Sequence, residues 1–195
     1  MNLNIPYMET DNKLLNDAYR IAAGDIVGNI VYYQNGLLTE EKPCMIAGLD
    51  YNTPWTRDTA INIWNALSVL SPEVSKNTLL AVLEEEEGNI YIGGQYWDSI
   101  IWMVGAQEYC KFHKDDKFYR LAFEAGRNSV HRLEADEFDE EDGLFRGPAV
   151  YGDGIAAYPD KYSKCPNQGS GILEWVDYPG NPVYPKGYGI PMKAL

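Results

Sequence analysis

The 195 residues hold 29 Asp and Glu against 16 Lys and Arg, a formal net charge of −13, with 45% hydrophobic and 13% aromatic residues. A chain of that length and apolar content gains enough from burial to offset its ordering entropy, which excludes intrinsic disorder and removes any need for staples. The negative field repels phosphate backbones and anionic lipid surfaces, so nucleic acid and membrane are excluded as electrostatic partners.

In chain order, the first predicted element is a helix over residues 11–34. It carries Leu14, Ala18, Ile21, Ala22 and Asp25 on one side at 3.6-residue spacing, with Arg20 opposite. Residues 35–54 turn to Gly, Pro and Asn around the short apolar run Cys44-Met45-Ile46-Ala47, which predicts an extended segment or loop. A second helix starts at Trp55, with Ala60, Ile63, Trp64, Leu67 and Leu70 on its apolar side, and stops at Ser71-Pro72. A third begins at Pro72, a favoured first-turn residue, and runs through Val74, Thr78, Leu79, Val82 and Leu83 to Gly88. Residues 89–94 are expected to form a Gly-rich turn. The fourth helix, 97–112, holds Ile100, Ile101, Val104, Ala106 and Cys110 and is apolar enough to be buried on most sides. The fifth, 115–135, places Phe118, Leu121, Ala122, Ala125 and Val130 on one face and ends in a solvated acidic run of Glu137, Asp139, Glu140 and Glu141.

Beyond Asp142, Gly, Pro, Tyr and Asp dominate without helical period, and a loop of that length in a folded domain is commonly functional. Long and short connections alternate. The expected fold is therefore all-α, one domain over 1–195, made of stacked helical hairpins with the long loops collected at one mouth. Cys44, Cys110 and Cys165 show no C-x-x-C spacing, so three free thiols are expected and no zinc site or disulfide framework. No P-loop, GxGxxG or HExxH is present, and no metal or cofactor is expected. No apolar run of about 18 residues occurs, and the first twelve residues lack a basic n-region and an apolar h-region. The expected location is cytoplasmic, unless a leader was removed before this point.

Tyr occurs 15 times, with 5 Trp and 5 Phe, often beside Gly, Pro and Asn in loop-like stretches. Such rings present flat faces with a polar handle, suited to sugars whose one face is C–H and whose rim is hydroxyl. Three segments at the long-loop end join rings to carboxylates: Tyr51 to Asp58, Gly93 to Asp98, and Gly143 to Pro159. A single acid beside a ring at a helix start reads first as a helix cap complementing the macrodipole. Its recurrence in two helix starts and a third acidic loop favours a ligand. His113 and His131 fall at polar ends or faces of helices, away from these loops, and are expected to be surface histidines; no Ser or Cys nucleophile arrangement is present.

The run Tyr51-Asn52-Thr53-Pro54-Trp55-Thr56-Arg57-Asp58 resembles the W-x-R-D segment of the six-hairpin glycosidases, whose glucoamylase branch grips the sugar with the Arg-Asp pair. Gly94-Gln95-Tyr96-Trp97-Asp98 is similar to the W-D segment of the trehalase and glucosidase branches. The stretch from Gly143 to Gly154 falls where these enzymes carry their general acid. The resemblance implies an (α/α)6 toroid with its active site at one mouth, a carbohydrate substrate, and hydrolysis of an α-linked glycoside by inversion. It implies substrate contacts from Trp55, Arg57, Asp58, Gln95, Tyr96, Trp97, Asp98, Arg146 and Tyr151. Five predicted helices against the toroid's twelve imply an N-terminal half, whose partner is the missing half or, through exposed apolar surface, another copy.

Inverting hydrolysis needs an acid to protonate the leaving oxygen and a base to activate water, with carboxyls about 6.5–9.5 Å apart. Asp153, between two glycines in an aromatic loop, is the candidate acid; Asp142 is the second candidate. In the family the base comes from the C-terminal half, and no residue here matches it. Two other readings stay open: a non-catalytic carbohydrate-binding helical module, and a toroid epimerase, lyase or phosphorylase.

Overall fold

Asn12 opens the first helix: its side-chain oxygen accepts from the backbone N–H groups of Leu14 and Leu15, satisfying two of the donors that a helix start leaves open. The computed structural model describes residues 5–94, 98–141 and 143–145, and the chain divides into two units, Met1–Val130 and His131–Leu195. Helix α1, Lys13–Gly28, ends six residues earlier than the periodicity predicts. The run Ile-Val-Tyr-Tyr that follows is β-branched and aromatic, and it forms strand β1, Ile30–Tyr33, antiparallel to β2, Lys42–Met45, with Ile30 opposite Met45 and Tyr33 opposite Lys42.

The predicted apolar side of α1 also faces the wrong way. Leu14 is 79% and Ile21 65% exposed, and Ala18, Ala22 and Asp25 are exposed too; Ile26, on another side, packs against the core.

The second helix is one continuous rod: α2, Thr56–Asn62, a π-helical stretch, Ile63–Leu67, and α3, Ser68–Leu70. Its wider π turn keeps Ile63 and Leu67 buried but turns Trp64, expected in the core, out to 51% exposure. Helix α4, Pro72–Ala81, starts on the predicted proline and buries Val74, Thr78 and Leu79. It stops at Ala81 rather than Gly88. Residues 83–92 form a hairpin, β3 (Leu83–Glu86) with β4 (Asn89–Ile92), closed by Glu87 and Gly88 at φ 52° and 79°. Two consecutive positive φ values are what a tight two-residue turn matched to strand twist requires.

Helix α5, Asp98–Phe112, buries Asp98, Ser99, Trp102, Gly105, Ala106 and Tyr109, and exposes only Gln107, Lys111 and Phe112. Helix α6, Asp116–Glu137, is preceded by Asp115, whose carboxylate accepts from the Phe118 N–H at 3.0 Å. The Lys76 ammonium, then that N–H, hold the Asp115 carboxyl below its usual range.

Three contacts set the helix directions. The Thr56 hydroxyl, at the start of α2, donates to the Gly93 carbonyl just ahead of α5 at 2.8 Å. At mid-length a Cβ on Gly105 would lie 2.8 Å from the Ala60 Cα, so α2 and α5 touch backbone to backbone. At the far end the His113 Nε2–H donates to the Ser68 carbonyl at 2.7 Å. The rod and α5 therefore run side by side in the same direction. Helices α4 and α6 return antiparallel, α6 contacting the β4 end through the Ile92 N–H to Ser129 Oγ bond of 2.8 Å. Stacked helical hairpins are thus observed, with three short antiparallel strand pairs among the described residues; of these strands only β2 falls in a segment expected to be extended. The buried centre joins Trp102, Phe118, Tyr109, Leu79, Leu83 and Ile63.

Within the second unit, α6 ends and β5 (Phe138–Asp139) pairs with β6 (Leu144–Phe145), the Phe138 and Phe145 rings meeting edge to face at 5.2 Å. Of the acidic run, Glu137 does end α6, while Asp139, Glu140 and Glu141 belong to the hairpin and its turn rather than to a helix end. The expected loop from 146 onward and Cys165 lie outside the described residues.

Cys44 is fully buried on β2, and burial pushes its thiol up to about 12, partly offset by a hydrogen bond with Thr78. Cys110 is raised by burial as well. Thiolate is the reactive form. Iodoacetamide at pH 8 should therefore leave Cys44 unlabelled in the native protein and label it once urea unfolds the chain, as peptide mass mapping would show; rapid native labelling would place Cys44 outside the core.

Candidate functional site

The start of α2 and the start of α5 lie at the same end of the helical stack, and a cleft of about 220 Å³ opens between them. Its floor is set by hydrogen bonds: the Gly93 N–H donates to the Val82 carbonyl at 2.9 Å, extending the β3–β4 ladder, while the Gly93 carbonyl takes the Thr56 hydroxyl. Gly94 sits at φ +111°, and a Cβ there would lie 2.8 Å from Thr56 Oγ1 and 3.0 Å from Asp98 Oδ2. Only glycine meets both demands, so the Thr56 hydroxyl and the Asp98 carboxylate can both close on the chain at Gly94.

Asp98 is 7% exposed, on a helix first turn whose dipole favours negative charge. Trp55, at the N-cap position of α2, also lines the cleft and is 37% exposed, its ring meeting that of Tyr51 edge-on at a centroid distance of 6.2 Å. Asn35, from the β1–β2 loop, and Glu84, from β3, complete the polar lining.

Of the residues expected to contact substrate, Trp55 and Asp98 line this cleft together. Arg57 and Asp58 are half-buried on the first turn of α2, adjacent in sequence to the lining but outside it. Asp58 and Asp98 share one end of the stack, as the mouth arrangement requires. Gln95, Tyr96, Trp97, Asp142, Arg146, Tyr151 and Asp153 lie outside the described residues.

Two polar lining residues, Glu84 and Asn35, were not singled out from the sequence. Glu84 was expected inside a helix, whereas the hairpin register sets it opposite Tyr91 and diagonal to Gly93, with Oε1 2.6 Å from where a Gly93 Cβ would stand. The available signal was Glu87-Gly88 before the alternating Asn-Ile-Tyr-Ile. Asn35 arrives from a loop with no pattern to mark it.

His113 differs from its expected surface role: it is half-buried, bonded to Ser68 and packed on the Tyr109 ring at 4.9 Å, so it ties the far ends of the parallel helices. Because the carbonyl only accepts, Nε2 carries the proton. Among the described residues no group of three His, Cys, Asp or Glu is placed to hold a metal ion. No described helix is long and apolar enough to cross a membrane. No protein-family model, curated protein or solved structure matches the chain.

An exposed tryptophan face, a buried carboxylate, a second carboxylate and small polar side chains form an acceptor-rich wall beside an aromatic platform. Ionised carboxylates accept hydrogen bonds and donate none, so the ligand that suits this lining supplies the donors.

Proposed function

We propose that this cleft is a sugar-binding site and that the chain contributes it to a glycoside hydrolase of six-hairpin type, acting by inversion on an α-linked substrate. One observation carries the reading: a partly exposed Trp55 face and the buried Asp98 line the same cleft, at the shared start of two parallel neighbouring helices. A pyranose stacks its C–H face on such a ring while its hydroxyls donate to the carboxylate. The alternation of parallel α2 and α5 with returning α4 and α6 is the order of inner and outer helices in an (α/α)6 toroid, which supports that architecture.

In this reading Arg57 and Asp58 grip the sugar from the rim by charge-assisted hydrogen bonds. Asp153 serves as general acid, with Asp142 as its alternate. The cleft volume is below the roughly 300–1,000 Å³ of pockets for drug-sized ligands, which suits a single ring.

The test is titration of the purified protein with α-gluco-, α-manno- and α-rhamno-oligosaccharides, together with NMR of the anomer released on turnover. One series should bind, and Trp55→Ala should weaken it by about 1–3 kcal/mol without lowering the melting temperature, as lost base- or sugar-stacking contacts do. Unchanged affinity with a lowered melting temperature would make Trp55 a packing residue and remove the reading. Binding without any turnover would favour the carbohydrate-binding module.

A further inference from the structure

Helix α1 turns its apolar stripe away from the core. The side that faces inward carries Asn16, Tyr19, Ala23 and Ile26, all partly buried. On the opposite side Leu14, Ala18, Ile21 and Asp25 are exposed, with Leu15 and Ala22 widening the stripe along one flank. The intervals 14, 18, 21, 25 alternate four and three, the spacing of the narrow seam by which two helices pack along their length. A lone exposed leucine is ordinary, whereas a contiguous apolar stripe marks an interaction surface.

The charges on α1 indicate what covers it. Its first turn holds Lys13 and no acid, and its last turn holds Asp25 and no base, the reverse of what the helix dipole favours. Two copies of the helix laid antiparallel, about a two-fold axis between Tyr19 and Arg20, offset both conflicts. In that register Ala18 faces the partner's Ile21, small against large, and Leu14 faces the partner's Asp25. Lys13 then stands within one residue, or about 1.5 Å along the axis, of the partner's Asp25. A parallel pair would instead set Asp25 against the partner's Asp25 in the seam, so this single acid selects the orientation as polar seam residues do. Lys13 pairs with Asp17 in an exposed contact, which is worth little and is readily exchanged.

We propose that the exposed face of α1 is the surface through which two copies of this chain associate, antiparallel and with two-fold symmetry. No residue of α1 lines the cleft, so the inference does not depend on the carbohydrate reading. A helix of 16 residues is about 24 Å long, and one face of it covers less than the roughly 800 Å² per partner of a standard interface. The dimer is therefore weak and reversible.

The experiment is sedimentation of the full chain from about 1 to 500 μM in 0.15 M NaCl, where a screening length of about 8 Å limits repulsion between two chains of net charge −13. The mass should double across that range, with a dissociation constant of about 10–100 μM. Ile21→Glu sets a carboxylate in the seam of both copies, and because a two-fold interface counts every substitution twice, it should weaken the dimer at least about tenfold. Asp25→Lys should weaken it about tenfold, and the double variant Lys13→Asp, Asp25→Lys should return it to within about threefold of the unaltered protein. All these positions are exposed, so each variant should keep its circular dichroism spectrum. A chain that stays monomeric at every concentration would overturn the inference, and a fall in its melting temperature with Ile21→Glu would show that the stripe is covered within the chain itself. A dimer indifferent to Ile21→Glu would place the interface elsewhere and overturn it too. Loss of the dimer in Asp25→Lys without rescue in the double variant would overturn the antiparallel register.

Discussion

Trp102→Ala should destabilise the protein by about 3–5 kcal/mol, the range for truncating a large buried aromatic. Trp102 is fully buried in the N-terminal half of α5, its ring 6.5 Å from that of Phe118, and its indole N–H donates to the Leu79 carbonyl at 3.3 Å. It therefore joins α4, α5 and α6 from one side chain. The cavity left behind cannot close readily, because α5 is already in backbone contact with α2 through Gly105 and Ala60. Against a total of about 5–15 kcal/mol for a typical domain, that is from about a fifth of the stability to all of it. At about 2–4 °C per kcal/mol for a chain of this size, the melting temperature should fall by roughly 6–20 °C. Trp102→Phe keeps most of the ring and loses the hydrogen bond, so its loss should be clearly smaller. Urea denaturation followed by circular dichroism measures both, and an Ala variant within about 1 kcal/mol of the unaltered protein would mean that Trp102 is not at the core.

The helices that were legible are those whose ends carry strong local chemistry. Pro72 after Ser71 marks the start of α4 because proline fixes the first-turn dihedral, and Asp115 marks α6 because its carboxylate accepts from the Phe118 N–H. What was lost is what depends on tertiary pairing. Ile30–Tyr33 continues an apolar pattern and reads as more helix until its partner strand, nine residues further on, is known. Four glutamates after Leu83 have good helix propensity, yet the Glu87-Gly88 turn and the β4 alternation prevail. Trp64 fits the helical face only if every turn has α geometry, and the π stretch breaks that assumption.

The site divides along the same line. Trp55 and Asp98 were legible because ring and acid stand together at helix starts, a relation within eight residues of sequence. Glu84 and Asn35 were not, because hairpins carry them to the cleft and hairpin register is a long-range property.

Gly36→Ala should cost about 2–5 kcal/mol and, on the carbohydrate reading proposed above, weaken sugar binding at the same time. Gly36 has φ +59°, and a Cβ there would stand 2.6 Å from the carbonyl oxygens of Leu80 and Leu83 and 2.7 Å from that of Ala81. All three are backbone atoms, so no side chain can rotate away. The next residue, Leu37, donates its N–H to the Leu80 carbonyl at 3.1 Å, in the last turn of α4. The β1–β2 loop is therefore fastened to α4 through Gly36, and Asn35, one residue earlier, is held at the cleft by that fastening. An added methyl brings left-handed strain of about 1–2 kcal/mol and overpacking of about 1–3 kcal/mol. Gly88 separates the two causes, since its φ is +79° but a Cβ there meets nothing within 4 Å. Gly88→Ala should show the strain alone, with sugar binding unchanged. Asn35→Ala should weaken binding with the denaturation midpoint unchanged. If Gly36→Ala and Gly88→Ala lose equal stability, the three carbonyls yield to the methyl and the loop is not fastened as the geometry requires; if only Gly36→Ala loses both stability and binding, the end of α4 positions the cleft through a single glycine.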